Sequence, residues 1–232
     1  MVISDFNHEY VDLGENPLAC AVKNDNIDIV KLLIKYAKDK NIILNYCNYN
    51  SSYNCSFLHY LNVNNIEMVK VLMDYGKENH TIIDINKIDD NPLLYESSRE
   101  DTDKVKFIIE YAKDNNLILD INREDNHSNY PLLQASIINS LDIVKLLIEY
   151  AKENNIILEM NRNDHDGNSP LSSAISNNNI EIVKLLMEYS KYKGIVLELN
   201  QFRKGKTIFA VALCKNNIEI FKILMKYATE II

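Results

Sequence analysis

The side chains that most often do chemistry in proteins are few in this chain and stand apart from one another. Its five histidines are His8, His59, His80, His127 and His165, and none of them lies near cysteines or acids at the spacing of a metal site. Cys47 and Cys55 are eight residues apart without a second pair, so the four cysteines predict inert thiols in a reducing compartment. We therefore expect no metal site and no cofactor.

Motifs of catalysis do not occur either. The chain has no nucleophile elbow, no phosphate-binding loop and no dinucleotide fingerprint. His165 and Asp166 are adjacent, but their position at the tip of a repeated loop accounts for the pair. We expect that the protein is not an enzyme.

Composition limits the class of partner. A net charge of −8 disfavours DNA and RNA, because phosphate binding needs a basic face. No apolar run approaches the ~18 residues of a membrane span, and the first ten residues contain no apolar signal core. We expect a cytoplasmic, intracellular protein without nucleic-acid or membrane partners. With five glycines and four prolines in 232 residues, helices are favoured over a β-sandwich or barrel.

Internal repetition is the strongest signal in the sequence. Six segments begin with an acid, have a lysine three residues on and a tyrosine five further, as in DIVKLLIEY from Asp142. The tyrosines Tyr36, Tyr75, Tyr111, Tyr150, Tyr189 and Tyr227 follow one another at spacings of 39, 36, 39, 39 and 38 residues. We predict one domain, 1–232, with six repeats at approximately 1–45, 46–84, 85–120, 121–159, 160–198 and 199–232.

Each repeat predicts two helices. In the second helix of repeat five, Ile182, Leu186 and Tyr189 form one apolar stripe, while Glu181 and Lys184 face solvent. After each second helix stands a residue that tolerates a left-handed backbone, which predicts helix ends at Asn41, His80, Asn116, Asn155 and Gly194. The first helix starts at proline after a capping residue at Asn16-Pro17, Asn91-Pro92 and Ser169-Pro170, whereas Tyr130-Pro131 lacks the cap.

The loop pattern of these repeats resembles the ankyrin repeat. Repeat five carries Asn161, Asp164, Gly167 and then Ser169-Pro170-Leu171, in the order of that family's motif. The family period is 33 residues, so most repeats here are about six residues longer. The resemblance implies an all-α solenoid of six helix-hairpin repeats with projecting loop or hairpin fingers, whose first helices line a concave groove. It also implies a protein-binding module. A helix-hairpin solenoid of another type fits the loop pattern less well.

Helical phase predicts which residues face the groove. In repeat five, Leu171, Ala174, Ile175 and Asn178 form the core face, and Ser173, Ser176 and Asn177 form the groove face. The same register places Val211 in the groove in repeat six. Tyrosine, arginine and aliphatic side chains supply most strong interface contacts. We therefore predict a partner-binding set of Tyr49, Tyr53, His59, Val63, Tyr95, Arg99, Gln134, Ile137 and Ile138.

Repeat three departs from the pattern. Glu96 stands where Ala135 and Ala174 stand in their repeats, and Lys104 replaces an apolar residue of the second helix. A buried carboxylate needs a partner, so we expect these two side chains to pair across the helix hairpin. Repeat three is either a bend or binding site, or a tolerated degenerate repeat.

Two functions follow from the sequence. The first is a scaffold or adaptor that grips a partner protein on its concave face and fingers. The alternative is an architectural spacer within a longer ankyrin-repeat array, because neither end carries the polar cap that solenoids need. The stripe Ile220, Phe221 and Leu224 is expected to lack a cover, which predicts fraying or end-to-end self-association.

Overall fold

A computed structural model of the chain describes residues 17–44, 65–80, 84–88, 91–200, 202–203 and 206–231. The backbone forms two compact units, Met1–Pro92 and Leu93–Ile232. Four residues of the predicted partner-binding set lie outside the described residues: Tyr49 and Tyr53, which are expected on a finger, and His59 and Val63, which are expected in the groove.

The regular structure of the described residues is helical apart from one short hairpin. Its elements are α1 (Pro17–Lys23), α2 (Ile27–Lys40), α3 (Ile66–Glu78), a 3₁₀-helix (Ile85–Lys87), α4 (Pro92–Ser98), α5 (Thr102–Asp114), α6 (Pro131–Ile137), α7 (Leu141–Glu153), α8 (Pro170–Ser176), α9 (Ile180–Lys193), β1 (Phe202–Arg203), β2 (Lys206–Thr207), α10 (Ile208–Cys214) and α11 (Ile218–Ile231). The two strands pair antiparallel, with Phe202 opposite Thr207. A seven-residue first helix followed by a second helix of 13 or 14 residues confirms the predicted hairpin.

Within Leu93–Ile232 the hairpins stack in sequence order. Helix α6 packs against α7 and α8, and α8 packs against α9 and α10. The second helices form a parallel row, in which α7 contacts both α5 and α9. Each element therefore contacts only its own repeat and the neighbouring ones, as in other repeat architectures.

Helix starts follow the capping rules. Ser169 accepts a hydrogen bond from the Ser172 N–H, and the Ser172 hydroxyl accepts one from the Ser169 N–H, which completes a capping box before Pro170. Tyr130 gives α6 no side-chain cap, as predicted. Five second helices are capped by side chains that accept from the third helical N–H, namely those of Asn26, Asn65, Asp101, Asn179 and Asn217, whereas Ser140 gives α7 no side-chain cap.

The predicted left-handed helix ends are confirmed. Their φ values are 57° at Asn41, 55° at His80, 54° at Asn116, 52° at Asn155 and 68° at Gly194. A second left-handed residue, which the sequence analysis missed, joins the two helices of a repeat: Asp25, Glu100, Asn139, Asn178 or Asn216. Asn178 was wrongly predicted to be core, because the helical phase no longer applies once the chain leaves α8 at Ser176.

The repeated tyrosines are core residues that also hydrogen-bond to the preceding repeat. The Tyr150 hydroxyl accepts a hydrogen bond from the Leu119 N–H at 2.9 Å, and the Tyr189 hydroxyl accepts one from the Leu158 N–H at 3.2 Å. Each hydroxyl also donates to the carbonyl two residues before the N–H that it accepts from. For Tyr189 this is the Ile156 carbonyl at 2.9 Å. Burial raises the pKa of both hydroxyls, so they keep the proton that they donate. Tyr75 and Tyr227 make the same pair of bonds.

Asparagine side chains form hydrogen bonds with the backbone of the following repeat, whereas the tyrosines bond to the preceding one. The Asn122 amide donates to the Ile157 carbonyl at 2.7 Å and accepts from the Glu159 N–H at 2.9 Å. Asn161 forms the same two bonds with Val196 and Glu198. The extended segment after each of these second helices is thereby fixed from both sides.

The charged residues of the second helices also link repeats. Lys184 lies 3.8 Å from Glu181, the pair that the sequence predicts, but only 3.0 Å from Glu219 of the next repeat. In the first unit Lys31 and Glu67 form the equivalent pair at 2.9 Å. Such exposed pairs are screened by solvent and contribute little to the overall stability.

Repeat three contains the predicted buried ion pair. Glu96 is fully buried, and its Oε2 lies 3.6 Å from Nζ of Lys104, which is also 3.3 Å from Oδ2 of Asp101. Burial raises the pKa of Glu96, and the charge of Lys104 works against that rise. Both carboxylate oxygens of Glu96 lack a hydrogen bond within the described residues. The pair is therefore a costly element of the core.

The stripe at the end of the last helix differs from its prediction. Ile220 and Leu224 are buried, because α11 packs against both α10 and α9. Phe221 is half-buried and meets Phe209 edge-on with ring centroids 6.0 Å apart. The exposed apolar residues of α11 are instead Ile218 and Met225.

Removing the Tyr150 hydroxyl should destabilise the protein. The Tyr150→Phe variant leaves the buried Leu119 N–H without its acceptor, so we expect a loss of about 1–2 kcal/mol in the free energy of unfolding. The matched control is Tyr192→Phe, whose ring is 63% exposed and should change stability by no more than about 0.5 kcal/mol. Urea unfolding measures both, and equal midpoints would contradict a role for the hydroxyl.

Replacing the buried pair of repeat three should show that the two charges depend on each other. Lys104→Ile alone leaves Glu96 without its cation and should cost about 2–3 kcal/mol at neutral pH. The double variant Glu96→Ala/Lys104→Ile copies the pattern of repeat four and should equal or exceed the parent in stability. Thermal melts of the three proteins measure this, and a double variant weaker than the single one would refute the interpretation.

Candidate protein-binding surface

The predicted groove residues that the structure describes are Tyr95, Arg99, Gln134, Ile137 and Ile138, here called the inner-helix residues. They lie on or directly after the first helices of repeats three and four. The second helices of those repeats, α5 and α7, pack together, so the two first helices belong to neighbouring hairpins.

Tyr95 and Arg99 form a preorganised pair. Arg99 is exposed and donates from Nη1 to the Tyr95 hydroxyl at 2.8 Å. Its guanidinium carbon lies 5.2 Å from the centroid of the half-buried Tyr95 ring. This contact restricts two large side chains, which reduces the entropy that they would lose on binding a partner.

Ile137 and Ile138 are half-buried at the end of α6. Asn177 of repeat five donates through its amide to the Ile137 carbonyl at 2.9 Å and to the Ser136 carbonyl at 3.0 Å. The neighbouring repeat thus holds the backbone of this helix end and covers part of the two side chains. The remaining apolar surface is available for a contact.

Gln134 connects α6 to its finger. Its side-chain amide donates to Oδ1 of Asn129 at 2.7 Å. The prediction placed Gln134 in the groove as a partner contact, and the structure shows that it is half-buried and already bonded. Gln134 thus links α6 to its finger, and its contact with a partner stays a prediction.

Two groove predictions outside the partner-binding set are wrong. Ser173 is buried with 1% of its surface exposed, and Val211 is also buried. Helical phase gives the direction of a side chain within its own repeat, but it does not show that α6 and α10 on either side of α8 cover Ser173. Ser176 is half-buried and Asn177 exposed, as expected for the groove face.

The fingers of repeats four and five share one turn geometry. The Asp125 carboxylate accepts hydrogen bonds from the N–H groups of His127 and Asn129 and from the Asn129 amide, at 2.8–2.9 Å. Asp164 accepts the same three bonds from Asp166 and Asn168. Partial burial opposes ionisation of Asp125, but the bonds from Asn129 and His127 outweigh it and hold the pKa of Asp125 below its usual value.

Neighbouring finger tips also touch. The His165 N–H donates to the His127 carbonyl at 3.3 Å, and the two imidazole rings meet edge-to-face with centroids 5.9 Å apart. The two histidines stand 38 positions apart in the sequence, so no local pattern predicts their contact. The contact brings two exposed imidazole rings together at the finger tips of the second unit.

Repeated helix hairpins with left-handed caps and stacked fingers define a class of helical repeat protein. The chain belongs to the ankyrin repeat family: the family model described as ankyrin repeats (3 copies) matches residues 2–89 and 154–232. This confirms the family that the loop motif predicts. Domains of this family are in general protein–protein interaction modules.

Solved ankyrin structures show the same fold. The ankyrin repeat domain of Bcl-3, a member of the IkappaB protein family, has a TM-score of 0.63 at 17% identity over 92% of this chain and 86% of that chain. An ankyrin repeat domain from Acinetobacter baumannii AYE has a TM-score of 0.67 at 20% identity over 91% and 97%. The ankyrin repeat protein EF0377 has a TM-score of 0.64 at 24% identity over 90% and 96%.

No curated protein sequence matches this chain. Each of the described helices is too short or too polar to span a lipid bilayer.

Removing the finger carboxylate should loosen one finger without unfolding the protein. Asp164→Ala deletes three hydrogen bonds, two of which hold the buried Asn168, so we expect a loss of about 1–2 kcal/mol and faster amide exchange at Asn168. Asp166→Ala is the control, because its exposed carboxylate accepts no described hydrogen bond. Equal exchange rates at Asn168 in the two variants would contradict the assigned role.

Proposed function

We propose that this protein is a binding scaffold that grips a partner protein on the first-helix face of repeats three and four. The observation that carries the proposal is the group of inner-helix residues. An arginine stacked on a tyrosine occupies one helix, and two half-exposed isoleucines occupy the next. Interfaces obtain most of their binding free energy from a few contacts of these residue types.

Repeat five supports the assignment by contrast. In α8 the groove register holds serine and asparagine, Ser173 is buried, and the Asn177 amide is bonded to the end of α6. Nothing on α8 therefore offers an aromatic or aliphatic anchor. Binding centred on repeats three and four agrees better with these side chains than binding spread evenly along the helices.

A scaffold and a spacer make different demands on this face. A spacer needs stacked repeats but no exposed anchors, whereas a scaffold needs side chains that remain accessible after the repeats have packed. Arg99 is exposed, and Tyr95, Ile137 and Ile138 remain half-exposed. These four residues favour the scaffold.

The proposal predicts that changes at these anchors reduce binding and leave folding intact. Arg99→Ala and Ile137→Ser/Ile138→Ser should each weaken binding of the partner by about 1–3 kcal/mol. The partner is identified by affinity purification from the native cell with quantitative mass spectrometry, comparing the parent chain with each variant as bait. Its affinity for the purified proteins is then measured directly.

The control variant changes a face that the proposal does not use. Lys145→Ala/Glu149→Ala alters two exposed residues of α7, and it should recover the partner as well as the parent does. All baits must show the parent's melting temperature within a few degrees. If the α7 variant loses the partner and the inner-helix variants keep it, the binding face is assigned wrongly. If no protein depends on either face, the chain is a spacer.

A further inference from the structure

The last turns of several second helices pair with the adjacent repeat, and at one junction of the second unit a tyrosine takes the place of the acid. The last turn of the second helix has an acid in five repeats, Asp39, Glu78, Asp114, Glu153 and Glu230, but a tyrosine, Tyr192, in repeat five. In the described ion pairs at these positions, the acid of one repeat meets the lysine of the preceding one, as in Lys38–Glu78, Lys113–Glu153 and Lys191–Glu230. At the junction of repeats four and five, Lys152 meets Tyr192 instead.

Two lysines surround the exposed tyrosine. Nζ of Lys152 lies 5.3 Å from the centroid of the Tyr192 ring, and Nζ of Lys193 lies 5.5 Å from it. Lys193 also donates to Oδ1 of Asn155 at 2.9 Å. Within the described residues neither lysine has a carboxylate within ion-pair distance, although Glu149 and Glu188 occupy the same two helices. The junction of repeats four and five thus has the lysine of the other ion pairs but lacks their carboxylate.

Tyr192 and two residues that follow the same two helices are exposed apolar side chains. Tyr192 is 63% exposed, and Ile157 and Val196, which follow the ends of α7 and α9, are 62% and 57% exposed. The Ile157 carbonyl is held by Asn122 and the Val196 carbonyl by Asn161, so both residues project from a fixed backbone. The residues at the same position of other repeats, Ile43 and Ile118, are similarly exposed at 54% and 58%, so Tyr192 is the side chain that distinguishes this junction.

We propose that this junction binds an acidic segment of a partner protein through Lys152, Lys193, Tyr192, Ile157 and Val196. A glutamate or aspartate of the segment takes the position that Glu153 and Glu230 occupy at the other junctions and pairs with Lys152. A neighbouring apolar side chain of the same segment covers Tyr192 and Ile157. A peptide supplies both groups together, whereas an inorganic anion supplies only the charge.

The acidic character of the occupant follows from charge. The chain as a whole carries a net charge of −8, so an exposed pair of lysines without carboxylates is a local exception that attracts negative charge. This surface lies on the second-helix side of the repeats and includes none of the inner-helix residues. The proposal therefore does not depend on the scaffold assignment of repeats three and four.

The probe is a peptide of two leucines flanked on each side by two glutamates and a glycine, titrated into isotopically labelled protein at low salt. We expect saturable NMR shift changes at Lys152, Ile157, Tyr192 and Val196. Tyr192→Glu supplies the missing anion from within the chain, so it should weaken peptide binding about tenfold or more, which is the effect of one strong charged contact. Tyr192→Phe should bind within about twofold of the parent, because the ring is retained.

Matched variants separate the site from bulk charge. Ile218→Glu adds the same charge at an exposed residue of another helix and should bind the peptide as the parent does. Lys152→Ala should weaken binding about fivefold or more, whereas Lys113→Ala, whose lysine already pairs with Glu153, should have no effect. Melting temperatures of all variants confirm that each is folded.

Several outcomes would overturn the proposal. They are no saturable binding to the parent, equal binding by parent and Tyr192→Glu, or shift changes confined to other faces. A peptide with serines in place of leucines should bind at least about fivefold more weakly, since the apolar contact is lost. If it binds equally, or if inorganic phosphate at the same concentration competes fully, the junction is a general anion site and the acidic-segment proposal is wrong.

Discussion

The stacking of this protein depends on one hydrogen-bonding group, the tyrosine hydroxyl of the second helix. It accepts from a buried N–H and donates to a carbonyl of the preceding repeat, at Tyr75, Tyr150, Tyr189 and Tyr227. The extended segment after each second helix is too irregular to satisfy its own backbone, and a buried orphan N–H costs about 1–3 kcal/mol. The tyrosine ring fills the core, and its hydroxyl accepts the hydrogen bond of the buried N–H and so removes that cost. The asparagine bonds hold the same segment from the preceding repeat, at Asn122 and Asn161.

Much of the fold within a repeat could be predicted from sequence. The 39-residue register, the left-handed ends at Asn155 and Gly194 and the pairing of Glu96 with Lys104 all depend on local chemistry that a single repeat displays. A β-branched residue is strained at a positive φ, and a buried carboxylate needs a cation, whatever the neighbouring repeats do. The family followed from the loop motif for the same reason.

Contacts between repeats were the part that the sequence did not reveal. The partners of Tyr150 stand 31 and 33 residues earlier, and no local period links them. For the candidate site the consequence is direct. Phase alone placed Ser173 in the groove and left Ile220 uncovered, yet both are buried by helices of adjoining repeats. Arg99, Ile137 and Ile138 kept the exposure that their phase predicts, at least in part. Helical phase predicts the direction in which a side chain points, but the neighbouring repeat determines whether that side chain is exposed to solvent.

Because the hydrogen bonds between repeats join only adjacent repeats, they determine which insertions in the gene the fold can accept. The hydroxyls of the buried tyrosines and the amides of Asn122 and Asn161 bond only to the adjacent repeat, and the interval between Tyr150 and Tyr189 is 39 residues. Duplicating one whole interval of DNA would insert a repeat whose hydroxyl and amide partners are already encoded. Inserting part of an interval would leave buried backbone groups without partners. The number of repeats can therefore change by whole-repeat duplication without loss of buried hydrogen bonds. A second copy of repeat five would also add a second exposed tyrosine between two lysines.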